Sequence, residues 1–292
     1  MGGGETRPSA SDDVGAEVAL LVDAQPWFDD RIHRRTVTGE AAPVVHHEVV
    51  ADDRGGLAAM SLAVLPAPMN GAVRAAVVVA PGGRRAGTGS RLWRRAEPHL
   101  EGRAVMGSVR DDDQSSLAAV ARWGFEPVQH SVGSYLEVGS GTPDPPGAPD
   151  VTVHRVDSWS PPAAVAQAWL DSDTSPEAEV FGPAGPDLYA GMFDAPVLLW
   201  LEEHGTPVAV IGCHRASGEE WTVVYTGTVP SARGRGFARL AKQHLHSIAA
   251  RDGVVRVVTS NEEENVGIRA LNASLGYRPT VGEVRVRREP SG

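Results

Sequence analysis

The apolar positions of the chain change period several times, and the order of those changes occurs twice. Val44 to Val50, Leu57 to Leu65 and Val73 to Ala80 are short runs rich in β-branched residues, which predict three strands. Leu92 to Leu100 then predicts a helix, shortened or kinked at Pro98, and Ala104 to Val109 a further strand. Leu117, Val120 and Ala121 fall at helical spacing and lead to Trp123-Gly124-Phe125. The start is compressed: Thr6-Arg7-Pro8 predicts a strand stub and Ser11 to Leu21 a capped helix.

The second half runs through the same order more cleanly. Val151 to Val156 alternates as a strand, and Pro161 to Leu170 opens a helix with proline in its first turn. Val197 to Leu201, Pro207 to Cys213 and Trp221 to Val229 predict strands, with turns at Glu202-Glu203-His204-Gly205 and Ala216-Ser217-Gly218-Glu219. Phe237, Leu240, Ala241, Leu245 and Ile248 mark a long helix that stops at Asp252-Gly253, before the β-branched run Val254 to Thr259. Ile268, Leu271 and Leu275 mark a last helix capped by Gly276. Between the halves, residues 139–150 are so rich in Pro and Gly that they predict a semi-extended linker. The expectation is two similar α/β (α+β) domains, 1–138 and 151–292, each a mixed, mostly antiparallel twisted sheet with helices on both faces.

Length and charge narrow the class of protein. A chain of 292 residues suits two domains, and its net charge of −10 argues against nucleic acid as a partner. No run approaches eighteen apolar residues, so no membrane span is expected, and the start lacks the regions of a signal peptide. Gly2 and Thr6 formally fit a myristoylation pattern, but the Gly-rich start reads more simply as a disordered terminus. The single cysteine, Cys213, excludes an intramolecular disulfide and fits a reducing cytoplasm; its apolar run makes it a buried strand residue. His46-His47 and the His244, His246 pair lack matching ligands, so no metal is expected.

The chemistry concentrates in two turns. Val79 to Gly89 and Thr228 to Ala238 each read as a strand running into Arg-x-x-Gly-x-Gly/Ala and then into a helix. Amides at the start of that helix have no intrahelical acceptor, and glycines let a diphosphate approach the backbone. In the second copy the donors run from about Gly234 to Ala238, with Arg233, Arg235, Arg239 and Lys242 adding positive charge. Neither copy has the lysine of a Walker loop or the spacing of a dinucleotide fingerprint.

At these residues the chain resembles the GCN5-related N-acetyltransferase (GNAT) superfamily, in tandem form similar to mycothiol synthase. The resemblance rests on Arg233-Gly234-Arg235-Gly236-Phe237-Ala238, on Arg84-Arg85-Ala86-Gly87-Thr88-Gly89, and on Asn265 with Leu275-Gly276-Tyr277-Arg278-Pro279. It implies acetyl-CoA as cofactor, held by Thr228, Val229, Arg233, Gly234, Arg235, Gly236, Phe237, Ala238 and Asn265, with Val79, Arg84, Gly87 and Gly89 in the first copy. It further implies an oxyanion donor at the N–H near Val229 and a small-molecule amine as acceptor.

The proton donor for the leaving thiolate is not legible. Many family members carry a tyrosine where this chain has Asn272, which has no titratable proton. Tyr225, and more weakly Glu219, Glu220 and Thr226, are the remaining candidates for the chemistry; a tyrosine in a strand is more often packing. Asp111-Asp112-Asp113 and Glu262-Glu263-Glu264 read as solvated loops. The second turn is the expected active site, because Arg85 stands where the first copy would need glycine and Pro98 cuts its helix. A monomer or homodimer is expected, and a CoA-binding module without catalysis is the rival reading.

Overall fold

The structure, a computed structural model, describes residues 5–24, 30–40, 42–66, 71–173 and 185–290; the Gly-rich start, residues 1–4, lies outside them. The chain divides into two compact units, residues 1–129 with 284–292, and residues 130–283.

In the first unit the sheet order is β1 (Thr6–Pro8), β2 (Val44–Ala51), β3 (Leu57–Val64), β4 (Val73–Val79) and β5 (Val105–Arg110). Every pair is antiparallel except β4 with β5. Helices α1 (Val14–Ala24) and α2 (Asp30–Val37) precede β2, whereas α3 (Thr88–Ala96) and α4 (Gln114–Arg122) flank β5 in sequence. Period-two alternation gives the sheet two buried faces. Leu20 and Leu21 of α1 pack with Val49, Met60, Leu62 and Val78, while Trp93, Ala96 and Leu100 pack with Ala63, Val73, Val105 and Val286. The predicted helix at Leu92 begins earlier, at Thr88, and changes to a tighter 3₁₀ turn at Glu97–Leu100, where Pro98 removes an amide donor.

The second unit contains β7 (Val151–Val156), α5 (Ala163–Ser172), α6 (Pro186–Met192), β8 (Pro196–Glu203), β9 (Thr206–Arg215) and β10 (Glu220–Thr228). After these come α7 (Phe237–Arg251), β11 (Arg256–Glu262), α8 (Val266–Ser274) and the first part of β12 (Arg278–Arg288), whose residues from 284 onward belong to the first unit. Leu198 and Trp200 face Trp159 and Trp169 on the α5 side, and Leu199 and Leu201 face Leu245 and Ala249 on the α7 side. His204 and Gly205, both at positive φ, close the β8–β9 hairpin in two residues.

The strand β6 (Glu126–Glu137) was not foreseen, and its residues 131–137 pair antiparallel with β11. Residues 130–137 therefore belong to the second unit, as does the Pro/Gly segment 139–150. Residues 284–292 complete the first unit, where Val286 is buried in the core. Helices α2 and α6 and strand β12 were also unread, since α2 and α6 are short and β12 mixes charges with its apolar residues. Among the described residues no helix is long and apolar enough to cross a membrane.

Candidate active site

The site begins where two parallel strands part. β10 pairs with β11 from Glu220 opposite Arg256 to Val223 opposite Thr259, and there the ladder ends. β10 nevertheless stays paired with β9 as far as Thr228 opposite Ala209, after a register shift between Val223 and Tyr225. A wedge thus opens along residues 224–228 on the β11 side of β10.

Backbone alternation decides which amides face that wedge. Val229 N–H donates to Val208 O at 3.1 Å, on the β9 side. Strand geometry then turns the N–H groups of Thr228 and Thr226 the other way, into the wedge. This corrects the assignment of the oxyanion donor to Val229: its amide is engaged, and the available donors lie one and three residues earlier. The Thr228 hydroxyl is buried without a hydrogen-bond partner beside them.

The turn after the strand is built by conformation. Pro230–Ala232 form a 3₁₀ turn, Arg233 is extended, and Gly234 and Gly236 have φ of +74° and +88°. Only glycine occupies that region without strain. The first backbone bond of α7 runs from Leu240 N to Gly236 O at 3.0 Å, so the amides of Gly236, Phe237, Ala238 and Arg239 precede the helical ladder. A Cβ placed on Gly234 or Gly236 would meet nothing within 4 Å, so the space above the amides is open. Phe237 is buried in the core and anchors the helix start.

The surrounding cations have different roles. Arg233 braces the turn, donating from Nε to Thr228 O and from Nη2 to Ser172 O, each at 3.2 Å. Arg235 forms a two-pronged pair with Glu203, and Arg239 donates to Ser274 Oγ at 2.6 Å. Lys242 does not belong to this patch. It is wholly buried, with Nζ unpartnered and 5.3 Å from the Tyr277 ring centroid, and burial pushes its pKa down to about 8. Its α7 position, five residues past Phe237, turns it toward the sheet rather than toward the helix start.

Asn265 caps α8, its Oδ1 accepting from Ile268 N at 3.2 Å. Asn272 is buried and donates from Nδ2 to Asn261 Oδ1 at 2.7 Å, so it ties α8 to β11 and supplies no acid. Tyr225 lies on the α5 face, stacked on Trp169 at 4.3 Å, and its hydroxyl sits 2.8 Å from Ser172 Oγ and 3.2 Å from Trp169 O. Burial raises its pKa above the ordinary tyrosine range. Glu220 pairs with Arg256 at 2.6 Å, at the closed end of the wedge. Cys213 is buried in β9, and burial lifts its thiol to about 12.

The first unit repeats the backbone. The β4–β5 ladder holds only Val73 opposite Val105 and Arg74 opposite Met106, so a wedge opens there too. Gly87 has φ of +79° and starts α3, and Arg84 Nε donates to Val79 O at 3.2 Å. A Cβ on Gly89 would touch Val79 Cγ2 at 3.5 Å. Asp113, read above as a solvated loop residue, instead caps α4 through the amides of Ser115 and Ser116 and pairs with Arg84 at 3.0 Å. Burial would raise its pKa, but the Ser115 and Ser116 hydroxyls, the helix amide and Arg84 outweigh it and hold the carboxyl at about 2.

One polar cluster of this unit has no signal in the sequence. Glu17 is fully buried, with Oε2 2.7 Å from His33 Nε2 and Oε1 2.9 Å from His47 Nε2, and it accepts from Ser9 Oγ at 2.5 Å. Its three partners come from α2, β2 and the segment after β1, so no local spacing announces it. Among the described residues no group of three or more His, Cys, Asp or Glu is arranged to hold a metal ion.

Residues 165–277 match the acetyltransferase (GNAT) family, so the second half carries a GNAT acetyltransferase domain. None of the curated proteins matches the chain. In fold, the chain is similar to a GCN5-related N-acetyltransferase from Sphaerobacter thermophilus, at 19% identity and a TM-score of 0.73, covering 98% of this chain and 95% of that one. It is equally similar to a tandem GNAT protein from the clavulanic acid biosynthesis pathway, at 19% identity, a TM-score of 0.74 and 99% of each chain. A GNAT-family acetyltransferase from Colwellia psychrerythraea is 14% identical, with a TM-score of 0.62 over 98% of this chain and 99% of that one. The fold is that of the tandem GNAT proteins.

Proposed function

From an acetyltransferase domain with this wedge, we propose that the chain transfers acetyl from acetyl-CoA to the amine of a small molecule by direct attack, at the second unit. The observation that carries the reading is the convergence of unengaged amides, those of Thr226 and Thr228 in the wedge and of Gly236 to Arg239 at the helix start, on one strand, turn and helix. The open space above Gly234 and Gly236 and the unpartnered Thr228 hydroxyl fit such a ligand.

The Gly236 to Arg239 amides and the α7 dipole would hold the diphosphate, and the Thr226 and Thr228 amides would line the acyl arm. Bound acetyl-CoA supplies the activated acyl group. Fixed N–H donors in the wedge favour charge that builds on a carbonyl oxygen there, a stabilisation that such donors supply without reorganising. The single buried cysteine fits a cytoplasmic setting.

Asn272 favours one second reading, a CoA-binding module without catalysis, because its amide is bound to Asn261 and cannot donate a proton to a thiolate. An amine panel assayed for free CoA distinguishes the two. Release that depends on amine and disappears in Gly236→Asp supports the enzyme; tight CoA binding without release on any amine supports the module. Native mass spectrometry of the same protein counts bound CoA and subunits together.

A further inference from the structure

We propose that Arg233 is a positioning residue that joins the phosphate turn to the C-terminal end of α5, so that an anion held on the Gly236 to Arg239 amides also fixes the last turn of that helix. The inference rests on the reading that the second turn takes the diphosphate of CoA.

A guanidinium in a phosphate-binding turn is expected to reach for phosphate. Arg233 instead donates to protein carbonyls from two of its nitrogens. Its Nε bonds Thr228 O, on the last residue of β10, and its Nη2 bonds Ser172 O, on the last residue of α5, each at 3.2 Å. Ser172 O is one of the last carbonyls of its helix, which find no intrahelical donor and form the negative pole, so a cationic donor satisfies both its hydrogen bonding and its charge. One planar fork thus spans a strand end and a helix end.

The same helix end is fastened to β10 a second time. Ser172 Oγ donates to Trp169 O at 2.8 Å and lies 2.8 Å from the Tyr225 hydroxyl, and Trp169 stacks on Tyr225 at 4.3 Å. A Cβ on Gly227 would lie 2.1 Å from Ser172 Oγ, so the serine rests directly on the open stretch of β10. The last turn of α5 is therefore held by side chains to the middle of β10 and by a carbonyl, through Arg233, to the phosphate turn. The first attachment is indifferent to a ligand at the turn. The second is not, because Arg233 directly precedes Gly234 in that turn.

The coupling has a geometric cause. Arg233 reaches both carbonyls from an extended backbone, with φ of −63° and ψ of 154°, and that conformation leads into Gly234 and Gly236 at positive φ, which present the helix-start amides. A turn rotated at Arg233 misaims those amides and carries the guanidinium away from Ser172 O. An anion on the amides selects the first arrangement, and by linkage it favours the attached α5 end by the same factor by which attachment favours the anion. The first copy supplies the contrast. Arg84 keeps the bond to the carbonyl five residues back, but its other arm goes to the Asp113 carboxylate at the cap of α4. The bond to the strand end is common to both turns, and the bond to a preceding helix belongs to the second.

Hydrogen exchange of the full chain, with and without saturating CoA, tests this at the amides of Trp169 to Asp173. In the unaltered protein CoA slows their exchange at least about fivefold. Arg233→Lys keeps the charge but replaces the fork with a single ammonium, so the slowing falls below about twofold while CoA affinity stays within about tenfold. Arg233→Gln carries the same expectation where the lysine variant does not fold. Ser172→Ala retains the carbonyl and keeps the slowing. The ratio of exchange rates with and without CoA is the deciding quantity, since a merely structural brace changes basal exchange and leaves that ratio alone. No slowing in the unaltered protein with CoA bound, or undiminished slowing in the Arg233 variants, overturns the proposal. Acetyl transfer in a protein whose α5 exchange ignores CoA would remove the coupling and leave the proposed function standing. Slowing at α5 in a protein that binds CoA but acetylates no amine would do the reverse.

Discussion

The two Arg-x-x-Gly-x-Gly/Ala turns share a backbone and differ in almost everything attached to it. Arg84 and Arg233 are both extended, at φ, ψ of −65°, 157° and −63°, 154°, and each braces the carbonyl five residues back at 3.2 Å. Gly87 and Gly236 cap their helices at 79°, 1° and 88°, 5°. At the position between, Gly234 has φ of +74°, whereas Arg85 holds +66° with a full side chain. Arg233 reaches a neutral carbonyl, Ser172 O, but Arg84 reaches the carboxylate of Asp113. Shape has been retained in both copies, and what sets the first apart is the strained Arg85 and the pairing of Arg84 with Asp113.

The sharpest way to break this contrast is to put a carboxylate at each helix cap. Gly236→Asp forces an L-residue to φ of +88° and aims a negative charge at the Gly236 to Arg239 amides. It should weaken CoA binding by about 100-fold or more, from strain and charge together. Gly87→Asp should change CoA affinity by less than about tenfold, by calorimetry on the full chain. Equal losses would remove the preference for the second unit.

A second difference lies beneath the sheets. Where the second unit packs Trp159 and Trp169 under α5, the first buries Glu17 between His33 and His47. Burial opposes the Glu17 charge, but hydrogen bonds from His33, His47 and Ser9 outweigh it and bring the carboxyl from 4.5 to about 2. A folded value below the unfolded one stabilises the fold above the unfolded value and is lost as pH falls through the folded one. The first unit should therefore lose about 3 kcal/mol between about pH 4.5 and 2. Glu17→Gln should remove most of this acid dependence, seen as a flatter unfolding free energy against pH, while destabilising the unit at neutral pH.

What could be read from the sequence was whatever a local pattern records. The turns, the strands leading into them and the helices after them have fixed spacing, and the burial of Cys213 follows from its neighbours in the chain. The Val229 assignment failed for a reason of the same kind: which of two adjacent amides faces a wedge depends on strand register, and sequence does not print register. Lys242 was misplaced because its side chain lies on the core-facing side of α7, and a basic residue type does not announce which side of a helix it takes. Asp113 and Glu17 owe their roles to partners 29 and 16 residues away, respectively Arg84 and His33. Ser172 is further still from Tyr225, at 53 residues.

The Arg85 position allows a gentler test. Arg85→Gly should stabilise the chain by about 1 kcal/mol, since it relieves a left-handed backbone without removing a core contact from this exposed turn. Thermal unfolding checks it, and the mirror change, Gly234→Arg, should cost about as much. A destabilised Arg85→Gly would mean that the side chain holds the first turn together, and the two copies would differ in architecture as well as charge.

The smallest expected effect isolates charge from shape. Asp113 both caps α4 and neutralises Arg84, whereas its counterpart in the second unit, Asn265, only caps. Asp113→Asn retains a good cap residue, so the helix should hold within about 0.5 kcal/mol. It releases the Arg84 guanidinium from its carboxylate while the Nε brace to Val79 O remains. Affinity of the first turn for an anion should rise a few-fold, measured with CoA on a chain whose second turn carries Gly236→Asp. If the first turn still takes up no CoA once the carboxylate is gone, Asp113 is not what silences it, and the strained Arg85 becomes the feature that separates the copies.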